Sequence, residues 1–261
     1  MTDSSAYAPQ SGVLQEQAWP AMRNTQWPVA LLPFGATEPH NTHLPYGTDT
    51  ILGTHVAGQV AARCIARGTN VVALPALPFG VNTTQLDLPF TINCMPSTQR
   101  AVLYDVIQSL EPHGVRALVL LNAHGGNELR ALVRELQPST SVVLSIVNWW
   151  QAGDHSVFAE PGDHAGELET AAMLHVAPHL VQPDRTTWGN GHARPSVFPA
   201  VRSGWAWMPR RWTQVTDDTG VGNPIHAVAA VGAAFVEQAV ERIADYCMQL
   251  AHVDPNQMWR D

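Results

Sequence analysis

Four short runs of Val, Leu, Ile and Ala, at residues 29–34, 70–74, 116–121 and 141–147, constrain this chain more than anything else in it. Runs that brief and that predominantly apolar are the pattern of strands covered on both faces. Between them, apolar residues recur at helical spacing. One helix is expected from near Thr48-Asp49-Thr50 to a stop at Gly68. A second follows Pro96, with Ser97 or Thr98 as its cap, through Val102, Val106 and Leu110. A third carries Leu129, Leu132, Val133 and Leu136 after Gly125-Gly126, and a closing helix runs from Pro224 to about Ala251. Strands alternating with helices require crossover connections, which build a mainly parallel sheet with helices on both faces. The expected fold class is therefore α/β.

Length and charge narrow the rest. A chain of 261 residues can be one α/β domain, and residues 1–261 are read as such, after a polar, flexible leader over 1–12. Residues 183–223 break the alternation. Pro, Gly and Trp dominate there, Trp188, Trp205, Trp207 and Trp212 among them, which makes this a long loop region suited to a substrate entrance or, preferably, a subunit interface. Only 14% of residues are charged, few for a surface wholly in water, so a homo-oligomer is expected. The net charge of −8 argues against nucleic acid and anionic membranes as partners and favours small neutral or cationic substrates. Cys64, Cys94 and Cys247 are scattered, as in reduced proteins. No signal peptide or membrane span is evident in the sequence, so a cytoplasmic location is expected.

The first strand stops at Gly35 and polar residues follow at once: Glu38-Pro39-His40, His43, then Gly47-Thr48-Asp49. Ligands of open α/β sheets sit beyond the carboxyl ends of strands, so this segment reads as half of a metal site. Glu38 and His40, two apart in an extended segment, point the same way. Two cations a few ångströms apart could each take one of them. Met alone, a Glu-x-His pair is more simply a backbone-bonded Glu and a loop His. Asp49 suits either a helix start, where a carboxylate satisfies free N–H groups, or a bridge between two cations. His43 is expected to support the loop from behind.

Two more polar clusters follow other elements. His124 ends the third strand, and Gly125 and Gly126 let backbone approach a ligand closely. Asn127 either orients His124 or caps the next helix. His164, Glu167 and Glu169 are expected in the first turn of a helix through Ala171, Met173 and Leu174. Acidic residues there ordinarily complement the helix dipole, a reading that suits Glu167 better than Glu169.

Together, Glu38-Pro-His40, His43-Leu-Pro, Gly47-Thr-Asp49, Asn122-Ala-His124-Gly-Gly-Asn127 and His164-Ala-Gly-Glu-Leu-Glu169-Thr resemble the creatininase (creatinine amidohydrolase) family from about residue 15 to 250. The resemblance implies a three-layer α/β/α sandwich, a hexamer, and two divalent cations, Zn and/or Mn with Fe also admissible. It implies hydrolysis of a non-peptide C–N bond, often in a cyclic amide. Glu38, Asp49 and His124 would hold one cation, with His40 and a bridging Asp49 on the other. Creatininase has a Glu where this chain has Gly126, which leaves either Glu169 as the replacement carboxylate or a weakened second site. His164 matches the proton shuttle, with Glu167 as its relay. Trp149 and Trp150 stand near where aromatic residues enclose creatinine, and the loop from Gly80 to Gln85 replaces the substrate loop.

The leading expectation is a metal-dependent amidohydrolase that attacks a small cyclic amide with a hydroxide shared by the cations. A second is a hydrolase of a cyclic polyol ketone or lactone, with Asn82, Thr83, Thr84 and Gln85 recognising hydroxyls. A third is a metal-stabilised binding protein without turnover. The expected substrate-binding set is Asn82, Thr83, Gly125, Trp149 and Trp150.

Overall fold

The four apolar runs form one parallel sheet in a computed structural model that describes residues 10–259. β1 (Val29–Phe34), β2 (Val71–Ala73), β3 (Ala117–Asn122) and β4 (Val143–Asn148) stand in the order β2-β1-β3-β4. Val29 pairs with both Val71 and Ala117, so the two central strands, β1 and β3, run in register to Phe34 and Asn122. β2 is shorter than its apolar run because Pro75 follows Leu74 and cannot donate to the ladder.

Alternate residues of each strand serve two separate cores. Val29, Leu31, Val119 and Leu121 face one side, under α1 (Thr48–Ala66), α4 (Glu167–Val176) and α5 (Ala229–His252). Ala30, Leu32, Phe34, Leu118 and Leu120 face the other, under α2 (Pro96–Leu110) and α3 (Leu129–Leu136). This is the three-layer α/β/α arrangement. Each fully buried Leu contributes roughly 1.5–3 kcal/mol by leaving water, and two covered faces explain why the strands are apolar throughout rather than alternating. On the first face α5 lies hard against α4. A Cβ at Gly232 would stand 1.9 Å from the Ala171 carbonyl oxygen, so this contact requires glycine.

Several boundaries differ from the sequence reading. α2 begins at Pro96 with Met95 ahead of it and no side-chain cap, so neither Ser97 nor Thr98 takes that role. α5 starts at Ala229; Pro224 to Val228 lead into it as irregular chain. His164 precedes α4 and forms an antiparallel bridge with Val221 instead of lying in a helical turn. Of the leader, residues 1–9 fall outside the described residues, and Gly12 accepts a 2.8 Å hydrogen bond from the Ala73 N–H. The region 183–223 is long irregular chain with single-turn helices at Pro199–Arg202 and Trp212–Val215. Among the described residues no helix is long and apolar enough to cross a membrane.

Candidate metal centre

Parallel strands deliver their carboxyl ends to one edge, and the polar clusters meet there. The loop after β1 carries Glu38 and His40, the first turn of α1 carries Asp49, and the turn after β3 carries His124. His164 and Glu169 arrive from the start of α4. Among the described residues three groups have ligand atoms within 4.8 Å of one another: Glu38, Asp49 and His124; His40, Asp49 and Glu169; and Glu38, His40 and His164. Asp49 belongs to the first two. The helix-capping alternative for Asp49 is thereby replaced: Gly47 precedes α1 and no side chain caps it.

Each histidine is oriented by a backbone carbonyl. His40 Nδ1 lies 3.0 Å from the Glu38 carbonyl, His124 Nε2 3.1 Å from Val81, and His164 Nε2 2.9 Å from Pro39. A carbonyl can only accept, so these nitrogens carry hydrogen and the opposite nitrogen of each ring turns to the carboxylates. His40 Nε2 is 3.0 Å from Asp49 Oδ1. His124 Nδ1 is 2.8 Å from Glu38 Oε1 and 3.2 Å from Asp49 Oδ2. His164 Nδ1 is 3.7 Å from Glu38 Oε1. Glu38 Oε1 and Asp49 Oδ2 lie close to His124 Nδ1, but neither is aligned for a hydrogen bond, and both remain buried without one. Lone pairs converging from several sides on buried carboxylate oxygens fit a cation better than they fit one another.

The electrostatics agree. Burial alone would lower the His40 pKa, yet Asp49, Glu169 and Glu38 raise it to about 10. His124 is likewise held well above its usual value by Glu38 and Asp49 against burial. Burial would raise Glu38 and Asp49, and the imidazoles beside them hold both low. Glu169 is pushed up, by burial first and by repulsion from Asp49, against His40 and His164. The carboxylates thus demand positive charge, which bound cations would supply in place of protons.

Backbone geometry serves the same centre. The residues after His40 and His164 are both left-handed without being glycine, Asn41 at φ 55° and Ala165 at φ 50°. Such conformers cost on the order of 1 kcal/mol. In return, the Ala165 N–H meets the Glu169 carboxylate, and Asn41 Oδ1 takes the N–H groups of Thr42 and Gly189. Gly126 is explained by His124. A Cβ there would lie 2.4 Å from both His124 Nε2 and the Val81 oxygen, the two atoms of the orienting hydrogen bond. A glutamate is excluded at this position in the present packing, and the carboxylate that joins His40 and Asp49 is Glu169.

Other expected site residues lie elsewhere. Glu167 accepts the Glu160 N–H at 2.8 Å and stands outside the three groups, so the structure does not support it as a relay for His164. Trp149 is a core residue, 1% exposed and packed edge-on against Phe235, because the chain turns it under α5. Asn82 borders the cleft, but its Nδ2 is tied to the Ile92 carbonyl at 3.0 Å and braces the loop. Thr83 and Gly125 line a cleft of about 270 Å³ over the cluster, and Trp150 and Gly125 line a smaller one of about 180 Å³ beside Glu169. Asn127 does not cap α3, and no hydrogen bond joins its side chain to the His124 ring. Its Oδ1 takes the Val81 N–H at 3.1 Å and Gln99 Nε2 at 2.9 Å, fixing the carbonyl that orients His124.

The sequence reading missed two contributions. Gln85 donates to Glu38 Oε2 from the loop opposite, a role its polar run hinted at only as substrate recognition. Trp212, 4% exposed, meets the His164 ring edge-on at 5.2 Å, and Arg210 lies over Trp212 at 4.6 Å. The tryptophans of 183–223 therefore divide. Trp207 and Trp212 wall the cleft, Trp188 stacks on His43 at 4.5 Å, and Trp205 is 78% exposed. His43, bonded to Thr170 Oγ1 at 2.8 Å, sits behind the ligands as expected.

Comparison with known proteins adds to this geometry. A family model described as creatinine amidohydrolase matches residues 15–247. A mycofactocin precursor peptide peptidase of Mycobacterium ulcerans is 32% identical over 229 residues, covering 84% of this chain and 85% of that one. A creatinine amidohydrolase of Pseudomonas putida is 31% identical over 196 residues, 66% of this chain and 71% of that one. The crystal structure of a Bacteroides fragilis protein assigned as a creatinine amidohydrolase superposes with a TM-score of 0.90 at 34% identity, covering 97% of this chain and all of that one. A creatininase structure described as a manganese form has a TM-score of 0.75 and one described as Zn–Zn has 0.74, both at 24% identity; they cover 93% of this chain and 100% and 99% of those.

Proposed function

The chain belongs to the creatininase family of amidohydrolases, and from that premise we propose that it is a metal-dependent enzyme that hydrolyses the C–N bond of a small cyclic amide, with two divalent cations held by ligand groups that both include Asp49. The observation that supports this reading is the pair of three-residue groups, Glu38, Asp49 and His124 beside His40, Asp49 and Glu169. Their mixed imidazole and carboxylate donors suit Zn or Mn. When bound, the cations supply a water acidified to near neutral pH and Lewis acidity toward the carbonyl oxygen.

The chain's own residues supply the rest. Val81 and the Glu38 carbonyl hold His124 and His40 in the tautomers that present a lone pair to the centre. His164 has its Nε2 committed to Pro39 and lines the cleft, so its Nδ1 is the atom that carries a proton to the leaving nitrogen. Trp212 against its ring restricts the orientation of that proton and shields it from water. A cleft of about 270 Å³ admits a small ring, with Thr83, Thr84 and Gly125 along its wall. The few charged residues and the exposed Phe90, Trp205 and Trp259 keep a homo-oligomer as part of this reading.

The test is metal content by elemental analysis with hydrolysis of a panel of lactams, cyclic ureides and creatinine, with Zn or Mn added to metal-depleted protein. Two cations per chain and metal-dependent release of a ring-opened acid are expected. Fewer than one cation per chain after reconstitution, or turnover indifferent to metal, would overturn the reading. His164→Gln is expected to retain both cations and lose turnover.

A further inference from the structure

Next to the metal cleft lies a larger groove of about 700 Å³, which shares the wall formed by Met208, Pro209 and Arg210 with that cleft. Its charge opposes that of the molecule. The chain has a net charge of −8 and no lysine, so its fourteen cationic side chains are all arginines. Four of them, Arg194, Arg202, Arg210 and Arg211, line this one groove, and no Asp or Glu lines it. The opposing carboxylates stand outside. Arg194 meets Asp217, which is 82% exposed, Arg210 donates to Asp163 at 2.5 Å, and Arg211 reaches Asp87 at 3.5 Å. Arg202 donates to the Ser196 carbonyl at 2.7 Å, and among the described residues no carboxylate pairs with it. Between the guanidinium groups the surface is apolar, with Val197, Phe198 and Val201.

A line of contacts connects this groove to the reacting centre. The His164 ring meets Trp212, Arg210 lies over Trp212, and Arg210 borders both cavities. Resting on the amidohydrolase reading above, we infer that the groove is a second subsite, which binds an apolar arm of the amide substrate ending in a carboxylate. Guanidinium forks match carboxylates in bidentate geometry, and the aliphatic and aromatic wall accommodates the body of the arm. On this inference the substrate carries a negative end, whereas the net charge alone favours a neutral or cationic one. The 270 Å³ cleft holds the ring to be opened, while the groove selects what is attached to it.

Pyroglutamyl-phenylalanine and its C-terminal carboxamide differ only in the charge at the end of an apolar arm on a lactam ring. Tryptophan fluorescence reads their binding to the metal-loaded protein whether or not either is cleaved, because Trp207 and Trp212 wall the cleft. The carboxylate form is expected to bind roughly tenfold more tightly or better, with the difference shrinking as salt is raised. In the double variant Arg194→Gln, Arg202→Gln the two probes are expected to bind alike, with metal content and affinity for the carboxamide unchanged. Equal affinities in the native protein, or a preference that survives in the double variant, would overturn the subsite. A protein that holds no metal would instead sink the amidohydrolase reading, so the two failures are distinguishable.

Discussion

The cluster at the strand ends and the loop over residues 193–215 border the same cleft and are built in opposite ways. In the cluster Glu38, His40, Asp49, His124 and His164 are all buried, and each imidazole is fixed by a carbonyl of the scaffold. In the loop Val197, Trp205 and Trp207 are 82%, 78% and 84% exposed, and Arg194 and Arg210 pair with carboxylates at the surface. Where chemistry requires donors held to fractions of an ångström, the chain uses strand ends and helix starts. Where it requires recognition, it uses long side chains on irregular backbone. Perturbing the first region should therefore change metal content and turnover, and perturbing the exposed residues of the second should change substrate affinity alone.

The strongest test of that division is Asp49→Asn, which keeps shape and removes the charge that two ligand groups share. Turnover is expected to fall by about a thousandfold or more, and elemental analysis should show at least one cation lost. Retention of both cations at native affinity would mean Asp49 is not the shared ligand. Next in size is Gly126→Ala, whose Cβ would intrude to 2.4 Å on His124 Nε2 and the Val81 oxygen. Displacing the orienting bond of one ligand should weaken metal affinity by roughly 10- to 100-fold. Asn127→Ala acts on the same carbonyl through the Val81 N–H, and about a tenfold loss is expected there. A metal titration that leaves both variants at native affinity would show that Val81 does not control His124.

The same division explains what was legible in the sequence. The strands were readable because both faces are covered, which forces apolar runs at 29–34 and 117–121. The ligands were readable because they follow those runs directly, and their family resemblance stood on five local blocks. What was not legible depended on distant contacts. Glu167 and Glu169 are both acidic residues of one first turn, and only the left-handed Ala165, which brings its N–H to Glu169, separates their roles. Trp149 and Trp150 are adjacent and alike, yet one faces Phe235 in the core and the other lines a cavity. Net charge concealed the arginines, because their clustering arises when residues 194–211 fold around one groove.

On the loop side, Trp207→Ala is expected to raise KM about three- to tenfold with kcat and metal content unchanged, the signature of lost uniform binding. Steady-state kinetics beside elemental analysis reads both quantities. A fall in metal content would break the comparison, since it would make the loop part of the centre's support.

The smallest expected effect falls on His43, which joins the two regions by standing behind His40 and stacking on Trp188. Burial lowers its pKa to about 4, with repulsion from His40 adding to this and Asp218 opposing it. A histidine whose folded pKa lies below its unfolded value of roughly 6.5 favours the fold while neutral. Its contribution is thus complete above pH 6.5 and is lost as pH falls from there through about 4. His43→Gln removes the titration and weakens the stacking. The variant should melt a few degrees below the native protein at neutral pH, and that gap should close as pH falls toward 4, in melts recorded at several pH values with metal content checked at each. A gap that stays constant would mean that packing on Trp188, and not the exclusion of a proton, is what His43 contributes to the seam between the centre and the loop.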